Sequence, residues 1–235
     1  MNGYEHEDIV STWLKAYEME KERQFIKCID KFIPNEQVTL LDVGCGIGLH
    51  SFLWSERNKQ VTASDLSTKF RDHILRTYDF PFIWMDVLNS TIKEQYDICF
   101  CMAIGTILHE EGQRFRTFET LARLVRAGSY LVLVTPSNQR LFGTRSNGVV
   151  LHSIDDRDIR KLEELGLEIE RVFYWSSSPK FLWRSPGFKA FGRLVEEIGF
   201  RLGAGARKVV ICRRKGFAIA EASDVPTGSK QAGTC

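Results

Sequence analysis

Three aspartates stand where their carboxylates could do chemistry together. Each follows a short apolar segment with the composition of a β-strand; they are Asp42, Asp65 and Asp86. The carboxyl ends of parallel strands meet at one edge of a sheet, so we expect the three side chains along one rim. Such a rim repels a diphosphate and attracts cations and hydrogen-bond donors. The alternative is that these aspartates only cap helices, as Asp often does.

A glycine-rich turn follows the first aspartate at once. Residues 38–51 read Val-Thr-Leu-Leu-Asp-Val-Gly-Cys-Gly-Ile-Gly-Leu-His-Ser, in which Gly44, Gly46 and Gly48 separate a strand from the start of a helix. Glycine adopts backbone angles that other residues resist, and its missing Cβ lets a ligand lie against the main chain. Nicotinamide, flavin and nucleotide sites all use such turns. No Lys-Ser or Lys-Thr follows here, which excludes a P-loop.

Together the turn and the acidic rim favour S-adenosylmethionine as the ligand. This cofactor carries no phosphate. Its ammonium, ribose hydroxyls and adenine amino group are hydrogen-bond donors that need acceptors, and its sulfonium is a cation. Two alternatives stay open. One is a nicotinamide-dependent reductase whose dinucleotide fits the same turn, and the other is a non-catalytic binding or partner protein that keeps the fold.

Three segments resemble the signature series of class I S-adenosylmethionine-dependent methyltransferases that act on small molecules. They are Leu-Leu-Asp-Val-Gly-Cys-Gly-Ile-Gly, Ala-Ser-Asp-Leu-Ser and Trp-Met-Asp-Val, within a resemblance that covers residues 38–213. The resemblance implies an α/β fold: a Rossmann-like, doubly wound, mostly parallel seven-stranded sheet with an antiparallel last strand, in a single domain. We expect an N-terminal helical lid over residues 1–36, the methyltransferase domain over 37–215 and a disordered tail over 216–235.

Site residues follow from the same resemblance. Gly44, Cys45 and Gly46 would line the methionine part of the cofactor with Asp42 behind them, and Asp65 would bind the ribose hydroxyls. The remaining cofactor contacts would be Leu66 on adenine, Asp86 with the Val87 amide at the adenine edge, and Met102 at the end of a central strand.

The general base is predicted to be His109. It lies in Ile107-Leu108-His109-Glu110, which is similar to the Leu-His-His type sequence of small-molecule members of the family. An imidazole accepts a proton near neutral pH, although a lone histidine before a helix can also serve packing or capping. Glu110 is a second candidate. No Asn-Pro-Pro-Tyr, Asp-Pro-Pro-Tyr or Pro-Cys follows the strand, so a nucleic-acid acceptor is not expected.

The acceptor is expected to be a small molecule, a saccharide or a lipid-linked compound, with Tyr17, Arg145 and His152 as candidate contacts. Residues 176–215 hold ten Lys and Arg against Glu196 and Glu197. This excess of positive charge favours an anionic acceptor or peripheral contact with a membrane, unless it is only a solvated face. The apolar residues at 181–183 could touch a membrane or cover the sheet edge.

Elements that position these residues can be read from apolar periodicity and turn residues. Strands are predicted at 60–64, 81–85, 96–102, 129–135, 167–175 and 206–213, beside the strand that leads into the turn. Helices are predicted at 9–33, 49–57, 67–78, 113–126, 155–165 and 179–201.

Whole-chain properties agree with one domain of 235 residues, which is long enough to bury a full core. The formal net charge is +2 and 43% of residues are hydrophobic, with no apolar run long enough to cross a bilayer. The acidic start of the chain does not read as a signal peptide, so a cytoplasmic location is expected. Six cysteines, with Cys99 and Cys101 on one strand, read as buried thiols without a metal site or disulfide framework.

Overall fold

The computed structural model describes residues 10–11, 18–33, 38–102, 110–137, 153–176, 178–179, 181–184 and 186–216. A seven-stranded sheet with the order β3-β2-β1-β4-β5-β7-β6 forms its centre. The strands are β1 (Thr39–Val43), β2 (Gln60–Asp65), β3 (Phe82–Trp84), β4 (Tyr96–Met102), β5 (Val125–Pro136), β6 (Leu167–Trp175) and β7 (Arg207–Arg214). Neighbouring strands pair in parallel except β7, which is antiparallel to β5 and β6. The predicted fold class is confirmed.

Helices cover both faces of this sheet. They are α1 (Met19–Asp30), α2 (Leu49–Ser55), α3 (Thr68–Thr77), α4 (Glu111–Leu124), α5 (Asp156–Glu164), α6 (Phe181–Arg184) and α7 (Lys189–Arg201), with a 3₁₀ turn at Pro186–Phe188. Successive strand residues point to opposite faces. Accordingly, Leu41 and Cys99 join a buried cluster with α4 and α5, while Leu40 and Phe100 join another with α1 and α2. The sheet is therefore buried on both sides, as the near-continuous apolar strands predict.

Several element boundaries differ from the sequence-based prediction. The helix predicted at 9–33 is interrupted at Glu18, whose backbone is extended, and α1 begins only at Met19. The helix predicted at 113–126 ends at Leu124, and Val125 already pairs with Tyr96 of β4 before a register shift. Val125 is β-branched and fully buried, so the strand begins there, ahead of Gly128. The helix predicted at 179–201 is divided into α6, the 3₁₀ turn and α7, because Pro186 cannot continue a helix.

The cysteines of the described residues are free thiols, and those on β4 and β7 are buried. Burial raises the pKa of the Cys99 and Cys101 thiols well above their usual range, so they pack as apolar groups. Among the residues described, no group of three or more His, Cys, Asp or Glu side chains is placed to hold a metal ion. None of the described helices is both long and apolar enough to cross a membrane.

Candidate functional site

The glycine turn joins β1 to α2 at the carboxyl edge of the sheet. The N–H groups of Gly44 and Cys45 both donate to the Ser64 carbonyl, at 2.8 and 2.9 Å, which fixes the turn against β2. Gly44 and Gly46 have φ of +72° and +55°, and a Cβ built on either would meet nothing within 4 Å. The main chain of this turn therefore borders open space in a conformation that favours glycine, which suits close approach of a ligand.

Gly48 has a different role in the same turn. It is the N-cap residue of α2 with φ of +75°, and a Cβ there would lie 3.0 Å from the Tyr78 ring and 3.1 Å from Ile74. Glycine is thus required at this position by internal packing between α2 and the end of α3. Of the three glycines, Gly44 and Gly46 face the open side.

Asp65 connects the glycine turn to the next loop. Its Oδ2 accepts the Gly46 N–H at 2.9 Å and its Oδ1 accepts the Ser67 N–H at 2.8 Å. Burial raises the pKa of Asp65, although the backbone donors of Ser67 and Gly46 oppose this effect. Ser67 is the N-cap residue of α3 and accepts the Phe70 N–H, so Asp65 itself does not cap the helix. Its half-buried carboxylate is available to further donors, and the adjacent Leu66 is 43% exposed.

Asp42 is the most deeply placed of the three aspartates. It is 1% exposed, and its Oδ2 accepts the Ser51 hydroxyl of α2 at 2.6 Å. Burial raises the pKa of Asp42 to about 6, against the opposing effect of the Ser51 hydrogen bond. Asp42 therefore does not line the rim expected from the strand ends. It lies behind the turn, as the family resemblance implied, and holds the turn to α2.

Asp86 follows β3 and shapes a turn. Its Oδ1 accepts the Leu88 N–H at 3.0 Å and its Oδ2 accepts the Asn89 amide at 2.7 Å. The Val87 side chain is buried in the core, and Met102 is the half-buried last residue of β4. No described helix begins after Asp86, so this residue forms a turn and does not cap a helix. Asp65, at the end of β2, and Asp86, just after β3, both remain partly exposed.

Several predicted site residues lie outside the described residues. They are His109, Tyr17, Arg145 and His152, and their assignments stay predictions. Glu110 is described and exposed at the N-cap position of α4, without a side-chain capping bond.

A buried ionic cluster beside the turn was not predicted. Arg207, the first residue of β7, contacts Glu22 of α1 through two hydrogen bonds of 2.7 Å, and His50 Nε2 lies 3.0 Å from the same carboxylate. Burial alone would raise the pKa of Glu22, but the Arg207 charge and the His50 hydrogen bond hold it well below its usual range. The cluster fixes α1 against the first turn of α2 and the carboxyl edge of the sheet.

No local signal identifies this cluster in the sequence. Glu22 lies in the charged run 20–23, which reads as a solvated helix face, and it is separated from Arg207 by 185 positions. Only the fold brings the two together.

Comparisons with known proteins agree with this geometry. Residues 40–128 match the family model described as a methyltransferase domain. Over 115 residues the chain is 30% identical to a ubiquinone biosynthesis O-methyltransferase from Nitrosomonas europaea. The aligned region covers 46% of this chain and 48% of that protein. The chain therefore matches about half the length of this curated relative.

Solved structures resemble nearly the whole fold. An S-adenosylmethionine-dependent methyltransferase from Mesorhizobium loti superposes with a TM-score of 0.60 at 16% identity, covering 84% of this chain and 100% of the other. The magnesium protoporphyrin IX methyltransferase of Synechocystis, solved with bound S-adenosylmethionine, gives a TM-score of 0.55 at 17% identity. This match covers 83% of this chain and 80% of the other. At these identities the likeness concerns the fold.

Proposed function

We propose that the protein is a class I S-adenosylmethionine-dependent methyltransferase that methylates a hydroxyl or amine of a small-molecule acceptor. Residues 40–128 match a methyltransferase domain, and the fold resembles that of solved methyltransferases, which supports the proposal. S-adenosylmethionine is the methyl donor. The observation that carries the proposal is the open glycine turn whose Gly46 N–H is bound by Asp65. It provides free main-chain surface beside a carboxylate, which suits a cationic, phosphate-free donor.

Each residue has a separate role in this proposal. Gly44, Cys45 and Gly46 border the methionine part, and Asp65 accepts hydrogen bonds from the ribose hydroxyls. The exposed Leu66 packs on adenine, while Asp86 and the Val87 amide contact its edge. Asp42 lies behind the turn, where it accepts the Ser51 hydroxyl and so holds α2 in place against β1.

When bound, S-adenosylmethionine supplies an electrophilic methyl group on a sulfonium. The residues of this chain have to hold the acceptor in line with that methyl group at about 3 to 3.5 Å and exclude water. We assign to His109 the removal of the acceptor's proton, because an imidazole accepts a proton near neutral pH.

An oxygen acceptor is the first choice, because the curated relative is an O-methyltransferase by name. A sugar or lipid-linked acceptor with an anionic group also fits the basic region 176–215. Part of that charge is already matched within the protein: Arg207 binds Glu22, and Arg193 lies 3.3 Å from Glu20. This pairing makes a neutral acceptor as suitable as an anionic one.

Asp65→Ala tests the cofactor site by isothermal titration calorimetry with S-adenosylmethionine. Two charge-assisted hydrogen bonds at about 1.5 to 3 kcal/mol each predict a loss of affinity of about a hundredfold or more. Asp72→Ala on the exposed side of α3 is the matched control and should bind as the wild type. Unchanged affinity in Asp65→Ala, with a wild-type melting curve, would refute the assignment.

Labelled methyl transfer to metabolite and glycolipid fractions then identifies the acceptor class. Label found on an acceptor oxygen supports the first choice. Label that never leaves the donor in any fraction would count against catalysis and favour a non-catalytic role.

A further inference from the structure

Trp84, the last residue of β3, keeps a large aromatic side chain that is 56% exposed. It pairs with Asp65 in the parallel register of β2 and β3, so it lies at the carboxyl edge of the sheet, beside the aspartate of the cofactor site. Leu66, which follows Asp65, is exposed as well. The other tryptophans among the described residues are buried; they are Trp54, Trp175 and Trp183. Two large apolar side chains thus remain uncovered next to the cofactor site, which calls for an explanation.

The indole of Trp84 is fixed to the loop that follows β2. Its N–H donates to the Leu66 carbonyl at 2.9 Å. Where β2 and β3 end, the Met85 N–H donates to the Asp65 carbonyl at 3.1 Å. The next carbonyl along the chain is that of Leu66, beyond the end of β2, and the Trp84 side chain supplies its donor. The indole therefore extends the contact between the two strands into the loop.

The other end of the same peptide group is held too. The Leu66 carbonyl and the Ser67 N–H belong to one planar peptide unit. The Ser67 N–H donates to Asp65 Oδ1 at 2.8 Å, while the carbonyl accepts the Trp84 indole N–H. Hydrogen bonds at both ends of a peptide group reinforce each other. This peptide plane sets the backbone on the carboxyl side of Leu66, and with it the direction in which that side chain leaves the loop.

The start of α3 offers Leu66 no apolar partner at the usual position. Leu66 precedes Ser67, the N-cap residue of α3, and an apolar residue at that place often packs against the fourth residue of its helix. In α3 the fourth residue is Arg71, whose guanidinium contacts Asp72 at 2.8 Å. The Leu66 side chain is therefore held in a defined direction, 43% exposed, without a packing role of this kind in its own helix.

We propose that Trp84 is a positioning residue for the adenine of the cofactor. The inference rests on the proposed function, in which Leu66 packs on adenine. By holding the Leu66 carbonyl, the indole orders that side chain before the cofactor arrives, which lowers the entropy lost on binding. Asp65 keeps the N–H groups of Gly46 and Ser67 without the indole, so loss of the Trp84 N–H acts on Leu66 and not on the ribose contact.

Trp84→Phe tests this role, because it keeps an aromatic ring at the end of β3 and removes the indole N–H. Loss of one neutral hydrogen bond of ordinary strength predicts that the affinity for S-adenosylmethionine, measured by isothermal titration calorimetry, falls about three- to tenfold. Since Trp84 is exposed, the melting curve should remain that of the wild type.

A double-mutant cycle with Leu66→Ala separates positioning from a merely structural role. Leu66→Ala should itself weaken binding of S-adenosylmethionine. Adding Trp84→Phe to it should then change the affinity by less than about twofold, because the side chain to be positioned is gone. Leu75→Ala on α3 is the matched control, since Leu75 is 57% exposed. It should bind as the wild type does, and Trp84→Phe should keep its full effect in that background.

Three results would overturn the inference while the wild type still binds S-adenosylmethionine and the proposed function stands. One is wild-type affinity in Trp84→Phe, and a second is wild-type affinity in Leu66→Ala. The third is an effect of Trp84→Phe that is equally large in the Leu66→Ala and Leu75→Ala backgrounds, as a merely structural role predicts. A wild type without affinity for S-adenosylmethionine would instead refute the proposed function, and this inference with it.

Discussion

Replacing Asp42 with asparagine should make the protein less sensitive to rising pH. Asp42 is 1% exposed behind the glycine turn, and burial raises its pKa from an ordinary value of 3.8 to about 6. A carboxyl whose pKa is higher in the folded than in the unfolded state makes its full contribution to the free energy of unfolding at low pH. That contribution is lost as the pH rises through the folded pKa.

The magnitude follows from the size of the change in pKa. One pKa unit corresponds to about 1.4 kcal/mol, so a rise of about two units predicts that the wild type loses about 3 kcal/mol of stability at this site. The loss takes place between about pH 4 and about pH 7. The side-chain amide of the Asp42→Asn variant would carry no charge in either state and would show no such loss.

Urea unfolding followed by tryptophan fluorescence measures the effect in cofactor-free protein. The free energy of unfolding of Asp42→Asn minus that of the wild type should rise by about 3 kcal/mol from about pH 4 to about pH 7.5. The contribution of Glu22 is present in both proteins and cancels, as does any constant effect of fitting the amide beside Ser51. The charge of Asp65 helps to raise the pKa of Asp42, so their repulsion is part of the measured difference. A difference that stays flat over this range would contradict a buried, charge-disfavouring site for Asp42.

Two further predictions concern the ionic cluster and the general base. Glu22→Gln leaves the Arg207 charge buried without its carboxylate and should destabilise the fold by about 3 to 5 kcal/mol, measured by urea unfolding. Arg23→Gln breaks an exposed pair with Glu56 and should have an effect of about 1 kcal/mol or less; equal effects of the two substitutions would argue against the role of the cluster. His109→Ala should slow methyl transfer while affinity for S-adenosylmethionine stays within a few-fold, and a fully active variant would remove His109 from the mechanism.

Much of the sheet was predictable because its strands are short apolar runs bounded by turn residues. The predicted strands at 96–102 and 167–175 coincide with β4 and β6. The turn at Gly44 and Gly46 was predictable too, since glycine spacing reports the backbone conformation directly. In both cases the information is local and lies in the segment itself.

Features that depend on distant contacts were not predictable in this way. The depth of Asp42 is set by α2 and the neighbouring strands. Its position at the end of an apolar strand indicated a rim residue, and only the family resemblance placed it behind the turn. Val125 begins β5 because it meets Tyr96 of β4, whereas its own neighbourhood continues a helical pattern. Apolar periodicity reports local structure, whereas the burial of a side chain depends on the distant elements that pack against it.

Helix α7 shows the same limit most clearly. Its apolar periodicity predicts a helix, but the face that packs inward is the one that holds Gly192 and Glu196. Glu196 binds Lys21 of α1, and the next residue, Glu22, binds His50 in the first turn of α2. Two consecutive residues of α1 therefore tie α7 to the helix that follows the glycine turn. Because the intermediate groups are buried and charged, a substitution at Lys21 or Glu22 should disturb the seating of α7 and the glycine turn together.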